Sequence, residues 1–136
     1  MNAYNLIFVL SLKNDSVLMC LRTTQPYQNK YNLIGGMREK NETAIEAAYR
    51  ELKEETGIST NDIQLLHIMD YYYYDSQIKI EVFAGAVNNE VSLVSEKHPL
   101  NWMKLNSDFS DKSIFAGEGN LPHIIEIALR NLNNHI

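Results

Sequence analysis

The sequence predicts an α/β fold in which helices alternate with a mixed central sheet. Three observations carry this. Short runs rich in Val, Ile, Tyr and Phe are separated by polar breaks, two longer stretches place apolar residues at helical spacing, and no repeat, linker or low-complexity tract intervenes. With 136 residues, 45% of them apolar, the chain suffices for one core and not for two, so a single domain over 1–136 is expected.

Taken in order, "YNLIFVLSL" and "VLMCLR" flank "KNDS", whose Asn14 and Asp15 favour a turn, and the pair reads as a hairpin. "YNLIG" is a further short strand. Residues from about 63 to 74 and from 78 to 87 surround the polar break Asp75-Ser76-Gln77 and read as a second hairpin. "LNWMKL" is the last strand. In "NLPHIIEIALRNL", Asn120 is suited to N-capping and Pro122 to a first turn, while Ile124, Ile125, Ala128 and Leu132 recur at helical spacing.

The central helix is bounded most closely. Thr43 and Glu46 form a capping box and Gly57 is a natural left-handed terminator, which predicts a helix from Ala44 to Thr56. At about 100° per residue, Ile45, Ala48, Tyr49 and Leu52 form a stripe expected to dock on the sheet. Glu51, Glu54 and Glu55 fall in a different arc, shared with Ala44 and Ala47 and bordered by Arg50. A solvated helix side is the ordinary reading of such charges. Like charges four residues apart cost a helix roughly 0.2–0.5 kcal/mol, however, and these stand near its negative end. A cation on that face would relieve both penalties. Hard carboxylate donors suit Mg²⁺ or Mn²⁺.

Composition narrows the partners. A formal charge of −5 with no block of Lys or Arg disfavours holding a nucleic-acid backbone, but leaves a small anionic substrate acceptable if a cation mediates. Cys20 is the single cysteine, so neither an intramolecular disulfide nor a thiolate zinc site is available, and a reducing cytoplasm fits. The apolar run from Leu6 to Leu12 is far shorter than the roughly 20 residues that cross a bilayer. It has no leader pattern around it and reads as a buried strand, so no membrane partner is expected.

Gly36, Glu42, Arg50, Glu51, Leu52, Glu54, Glu55, Gly57 and Ile58 match every fixed position of the Nudix box, Gly-x5-Glu-x7-Arg-Glu-U-x-Glu-Glu-x-Gly-U with U aliphatic. The chain therefore resembles the Nudix hydrolases, MutT-like members in particular. The resemblance implies an α/β/α sandwich carrying a loop-helix-loop, and hydrolysis of a nucleoside diphosphate linked to some group X with Mg²⁺ on the helix. It implies Glu51, Glu54 and Glu55 as metal ligands, one of them as base, Arg50 as the group orienting a glutamate, and Glu42 with Gly36 as support. The carbonyl of Gly35 resembles a further ligand. Glu96, six residues before Trp102, resembles a distant loop glutamate that completes the metal site and acts as base in some relatives; an exposed loop acid is its competing reading. Monomer and homodimer are both compatible.

Two positions depart from the common pattern without removing a ligand. Ile34 stands where many members have proline before the paired glycines, and Asn41 where glycine is frequent, although Asn tolerates a positive φ. For the substrate, the proline of ADP-ribose members is replaced by Tyr73, and Tyr74 falls where dinucleoside-polyphosphate members often have tyrosine. A run of four tyrosines equally describes a strand alternating between core and surface. "EGNLPHII" is similar to MutT-type enzymes in which the asparagine reads an oxidised guanine, so Asn120 is both a base-reading and an N-capping candidate. Arg22 resembles a phosphate- or base-contacting arginine of that subgroup. The expected substrate is a (d)NTP, with an oxidised purine such as 8-oxo-dGTP among the candidates, cleaved to NMP and pyrophosphate. ADP-ribose, nucleotide-sugar or dinucleoside-polyphosphate hydrolysis is the alternative. A nucleotide-sensing module without turnover is a third reading, disfavoured by the intact box.

Overall fold

The computed structural model describes residues 1–95 and 97–133. Its elements are β1 (Asn2–Leu10), β2 (Ser16–Leu21), β3 (Tyr31–Met37), α1 (Ala44–Thr56), β4 (Leu66–Tyr73), β5 (Ile78–Ala86), β6 (Leu100–Lys104) and α2 (Leu121–Asn133). The six strands form one mixed sheet in the order β4-β5-β1-β3-β2-β6. Strand β1 runs parallel to β5 from Asn2↔Ile78 to Leu10↔Ala86 and antiparallel to β3.

The second predicted hairpin forms as expected, with β4 antiparallel to β5. The first is corrected. Strands β1 and β2 pair only at Leu10↔Val17, beside the turn where Asn14 adopts φ 61, because β3 inserts between them. Strand β1 is central: Ile7, Phe8, Val9 and Leu10 are all buried, so both its faces are covered, and its two edges pair with β3 and β5.

Each sheet face carries one helix. On one, Ala48 and Leu52 of α1 join Ile7, Val9, Ile34 and Phe83; on the other, Leu121, Ile124, Ile125, Ala128 and Leu132 of α2 join Phe8, Leu33 and Val82. This is the α/β/α sandwich. Neither helix is long and apolar enough to cross a membrane.

Helix α1 is rolled relative to its predicted stripe. Ile45 is 37% exposed, whereas Ala47, assigned by spacing to the acidic face, is 1% exposed. Small side chains at Ala47 and Ala48 let the helix approach β3 closely. That approach sets the functional face.

Candidate active site

The ends of α1 are fixed by local chemistry. Thr43 Oγ1 accepts the Glu46 N–H at 3.3 Å and Glu46 Oε1 accepts the Thr43 N–H at 2.8 Å, completing the capping box. Gly57 closes the helix at φ 81, its N–H donating to Lys53 O at 2.9 Å. With both ends held, Glu51, Glu54 and Glu55 are placed in the last turns.

Two glycines of β3 form the floor. A Cβ on Gly36 would lie 2.3 Å from the Glu51 carboxyl carbon, so only glycine lets this carboxylate rest against the strand. A Cβ on Gly35 would meet the Asn5 carbonyl oxygen at 2.0 Å, where β1 and β3 pair. Asn41 adopts φ 73 in the preceding loop, the conformation glycine would otherwise supply.

Arg50 ties the acids together. Its Nε and Nη2 donate to the Glu42 carboxylate at 2.6 and 2.9 Å, its Nη1 to Glu51 at 3.0 Å and Glu54 at 3.2 Å, and its Nη2 also to the Met37 carbonyl at 3.1 Å. Glu42 thus reaches back from the loop to the helix. The bond from Arg50 holds the Glu42 carboxyl below its ordinary value. Burial pushes Glu51 up, against the lowering effect of Arg50, and burial followed by the charge of Glu51 pushes Glu55 up. Partly desolvated carboxylates kept close together are a natural seat for a cation.

Two cavities meet at this face. The first, of about 410 Å³, is lined by Glu51, Glu54, Glu55, Gly35 and Gly36 with Arg22, Lys97 and His98. The second, of about 560 Å³, extends on the α2 side of the sheet among Tyr27, Tyr71, Tyr73, Ile80 and Leu121. Arg22, Gly35, Gly36, Glu55 and His98 line both. The tyrosine run alternates as a strand should. Tyr71 and Tyr73 line the larger cavity, while Tyr72 and Tyr74 stack with each other on the exposed side.

The remaining candidates fall as follows. Arg22 stands just after β2, its Nε donating to the Pro26 carbonyl at 2.8 Å. Asn120 precedes α2 and its backbone oxygen accepts the Ile124 N–H, but its side-chain amide donates to the Tyr73 hydroxyl at 3.0 Å. Its carboxamide therefore supports a tyrosine of the cavity wall. Glu96 lies outside the described residues.

Sequence reasoning missed a second layer. Glu81 of β5 is 2% exposed and accepts from Arg38 Nη1 at 3.4 Å; Arg38 Nε donates to the Glu42 carbonyl at 2.8 Å, which continues to Arg50. His67, Asp70 and Glu81 also bring ligand atoms within 4.8 Å of one another. Lys79 stands 3.8 Å from Asp70 and 3.4 Å from Glu81, so with Arg38 the two carboxylates are already matched by two cations. Asn5 was likewise not singled out. Its Oδ1 accepts the Gly36 N–H at 3.1 Å, and its Nδ2 is buried without a partner among the described residues.

The α1 acids fit a hard divalent cation. Glu51, Glu54 and Glu55 supply oxygen donors bordering an open cavity, with the Gly35 backbone beside them. Such ions take few protein carboxylates and complete their shell with water and phosphate oxygens.

An acidic helix face set on a glycine floor beside an open cavity is the arrangement that the resemblance to the Nudix hydrolases implies. The NUDIX domain model matches residues 3–112, and the chain belongs to this family. Compared by sequence with curated proteins, it matches none. Among solved structures it is similar to a MutT/nudix family protein from Enterococcus faecalis, with TM-score 0.75 and 16% identity over 98% of this chain and 62% of that one. The chain thus spans under two thirds of that relative's length. It is also similar to the E. coli dihydroneopterin triphosphate pyrophosphohydrolase, with TM-score 0.71 and 19% identity over 94% and 95% of the two chains. A C. elegans Ap4A hydrolase gives TM-score 0.75 and 17% identity over 96% and 99%.

Proposed function

We propose that the chain is a Mg²⁺- or Mn²⁺-dependent pyrophosphohydrolase of a nucleoside triphosphate, releasing a nucleoside monophosphate and pyrophosphate. One observation carries this reading: a glutamate-lined cavity and a tyrosine-lined one share walls at Gly35, Gly36 and Glu55. Phosphates then lie over α1 while a base enters between Tyr71, Tyr73 and Tyr27.

Glu51, Glu54 and Glu55, with the Gly35 carbonyl and Glu96, would hold the ion. A bound ion supplies neutralisation of phosphate charge and a more acidic water. Arg50 keeps Glu51 and Glu54 in place, and Glu42 keeps Arg50 in place. One glutamate of Glu51, Glu54 and Glu96 would accept a proton from the water whose oxygen bonds to phosphorus, while the P–O bond to pyrophosphate breaks and its electron pair leaves on the pyrophosphate oxygen. Arg22, on the wall shared by the two cavities, binds phosphate or base. Asn120 acts on base choice through the Tyr73 hydroxyl that it holds.

A panel of NTPs, oxidised dNTPs, ADP-ribose and dinucleoside polyphosphates, assayed with Mg²⁺, tests the reading. The expected result is pyrophosphate and NMP from a triphosphate at the highest kcat/KM. Exclusive turnover of ADP-ribose or a dinucleoside polyphosphate would overturn the substrate class while keeping the site.

A further inference from the structure

We infer that Lys97, with Arg22, forms a cationic subsite that binds the terminal phosphates of the leaving group, selecting substrates whose group X is itself phosphate over those whose X is an uncharged sugar. This rests on the function proposed above. It begins from a conflict inside the smaller cavity. Helix α1 lines it with Glu51, Glu54 and Glu55, yet the loop ahead of β6 lines it with Lys97, and the end of β2 with Arg22.

A cavity built only to hold a cation gains nothing from two positive side chains on its walls, because each lowers the affinity of the ion it surrounds. Lys97 and Arg22 favour the ionised form of Glu55, but its burial and the charge of Glu51 outweigh them, so the acids are left far from neutralised. The cation bonded to Glu51 and Glu54 is Arg50, and the recorded side-chain bond of Arg22 goes to the Pro26 carbonyl instead. An acidic side and a basic side around one space of about 410 Å³ suit a cation and a polyanion bound together.

Position then separates the two cations. Arg22 also lines the larger cavity, together with Gly35, Gly36 and Glu55, so it stands where nucleoside and phosphates join. Lys97 lines the smaller cavity alone, as do Met37, Glu51 and Glu54. It therefore meets the end of the substrate distal to the base. For a triphosphate that end is the departing pyrophosphate, which gains charge as its bond breaks; for a diphosphate sugar it is a neutral ring. An ammonium there favours the first.

The test is calorimetric titration of inorganic pyrophosphate with Mg²⁺ into wild type, Lys97→Gln and Lys97→Arg. Thermal melts run alongside; Lys97 is exposed on its loop, so the melts are expected to agree. Lys97→Gln should weaken pyrophosphate binding about tenfold or more, and Lys97→Arg should restore most of it, since one charged hydrogen bond is lost and regained. The ratio of kcat/KM for triphosphate over ADP-ribose should fall in Lys97→Gln. Unchanged pyrophosphate affinity in Lys97→Gln would overturn the subsite even if the wild type turns over nucleotides. Weakened binding in a protein that hydrolyses none of the panel would uphold the subsite and reject the proposed activity.

Discussion

At the scale of single residues, Arg50 is the side chain on which the acidic group depends. Its three nitrogens make five hydrogen bonds to four partners, Glu42, Glu51, Glu54 and the Met37 carbonyl, a geometry that needs a planar fork. Lysine keeps the charge and loses the fork. Arg50→Lys is therefore expected to cost about 2 kcal/mol in chemical denaturation, from broken charged hydrogen bonds, and to lower kcat by at least about tenfold through misplaced glutamates. Wild-type kcat with wild-type stability would show that the fork is dispensable. The two glycines make a paired prediction. Gly35→Ala drives a Cβ into backbone between β1 and β3 and should prevent or badly weaken folding, whereas Gly36→Ala meets only the Glu51 carboxyl, which swings away. A soluble, folded Gly36→Ala with greatly reduced metal-dependent turnover, beside a misfolded Gly35→Ala, is the expected outcome; circular dichroism and activity measured together decide it.

At the scale of elements, how much could be read from sequence depended on how local the cause was. The limits of α1 follow from contacts within three or four residues of each end, and the structure has them at Ala44 and Thr56 as predicted. Thr43→Ala should accordingly cost about 1 kcal/mol by removing the cap, seen as a lowered midpoint with an unchanged denaturant slope. The β1–β2 pairing was not legible, since the insertion of β3 is decided by which strand covers the edge of β1, which is buried from Ile7 to Leu10. The roll of α1, which buries Ala47 and exposes Ile45, depends on how closely a helix approaches Gly36, a property of two elements together. Likewise the Glu81–Arg38–Glu42 chain was hidden. It relies on sheet register, which sets Glu81 beside Asn5 across β5 and β1, and no spacing along the chain encodes that.

At the scale of the whole molecule, the clustered acids make stability depend on pH and metal. Glu51 and Glu55 have native values raised above the ordinary 4.5, so the folded protein binds their protons more tightly than the unfolded chain does. Stability without metal should then fall as pH rises from about 4.5 through those raised values. Glu42 acts oppositely: its value is lowered, so its contribution is present above 4.5 and lost as pH falls through the lowered value. Metal-free melts should therefore peak in mild acid and decline toward neutrality, and Mg²⁺ should remove the decline by binding the ionised acids. A melt that rises steadily between roughly pH 5 and 8 without metal, and ignores Mg²⁺, would contradict the crowding of these carboxylates.

Steady-state release of pyrophosphate from a nucleoside triphosphate, by wild type and Glu54→Gln with Mg²⁺ and with chelator, tests the assignment of the α1 face most directly. The substitution removes one charge from an exposed position and leaves the caps, the glycine floor and the core untouched. Wild type should turn over only with the metal, and Glu54→Gln should be slower by orders of magnitude while melting no lower than wild type without metal. Near wild-type release by Glu54→Gln, or turnover that survives the chelator, would contradict the placement of the metal on Glu51, Glu54 and Glu55.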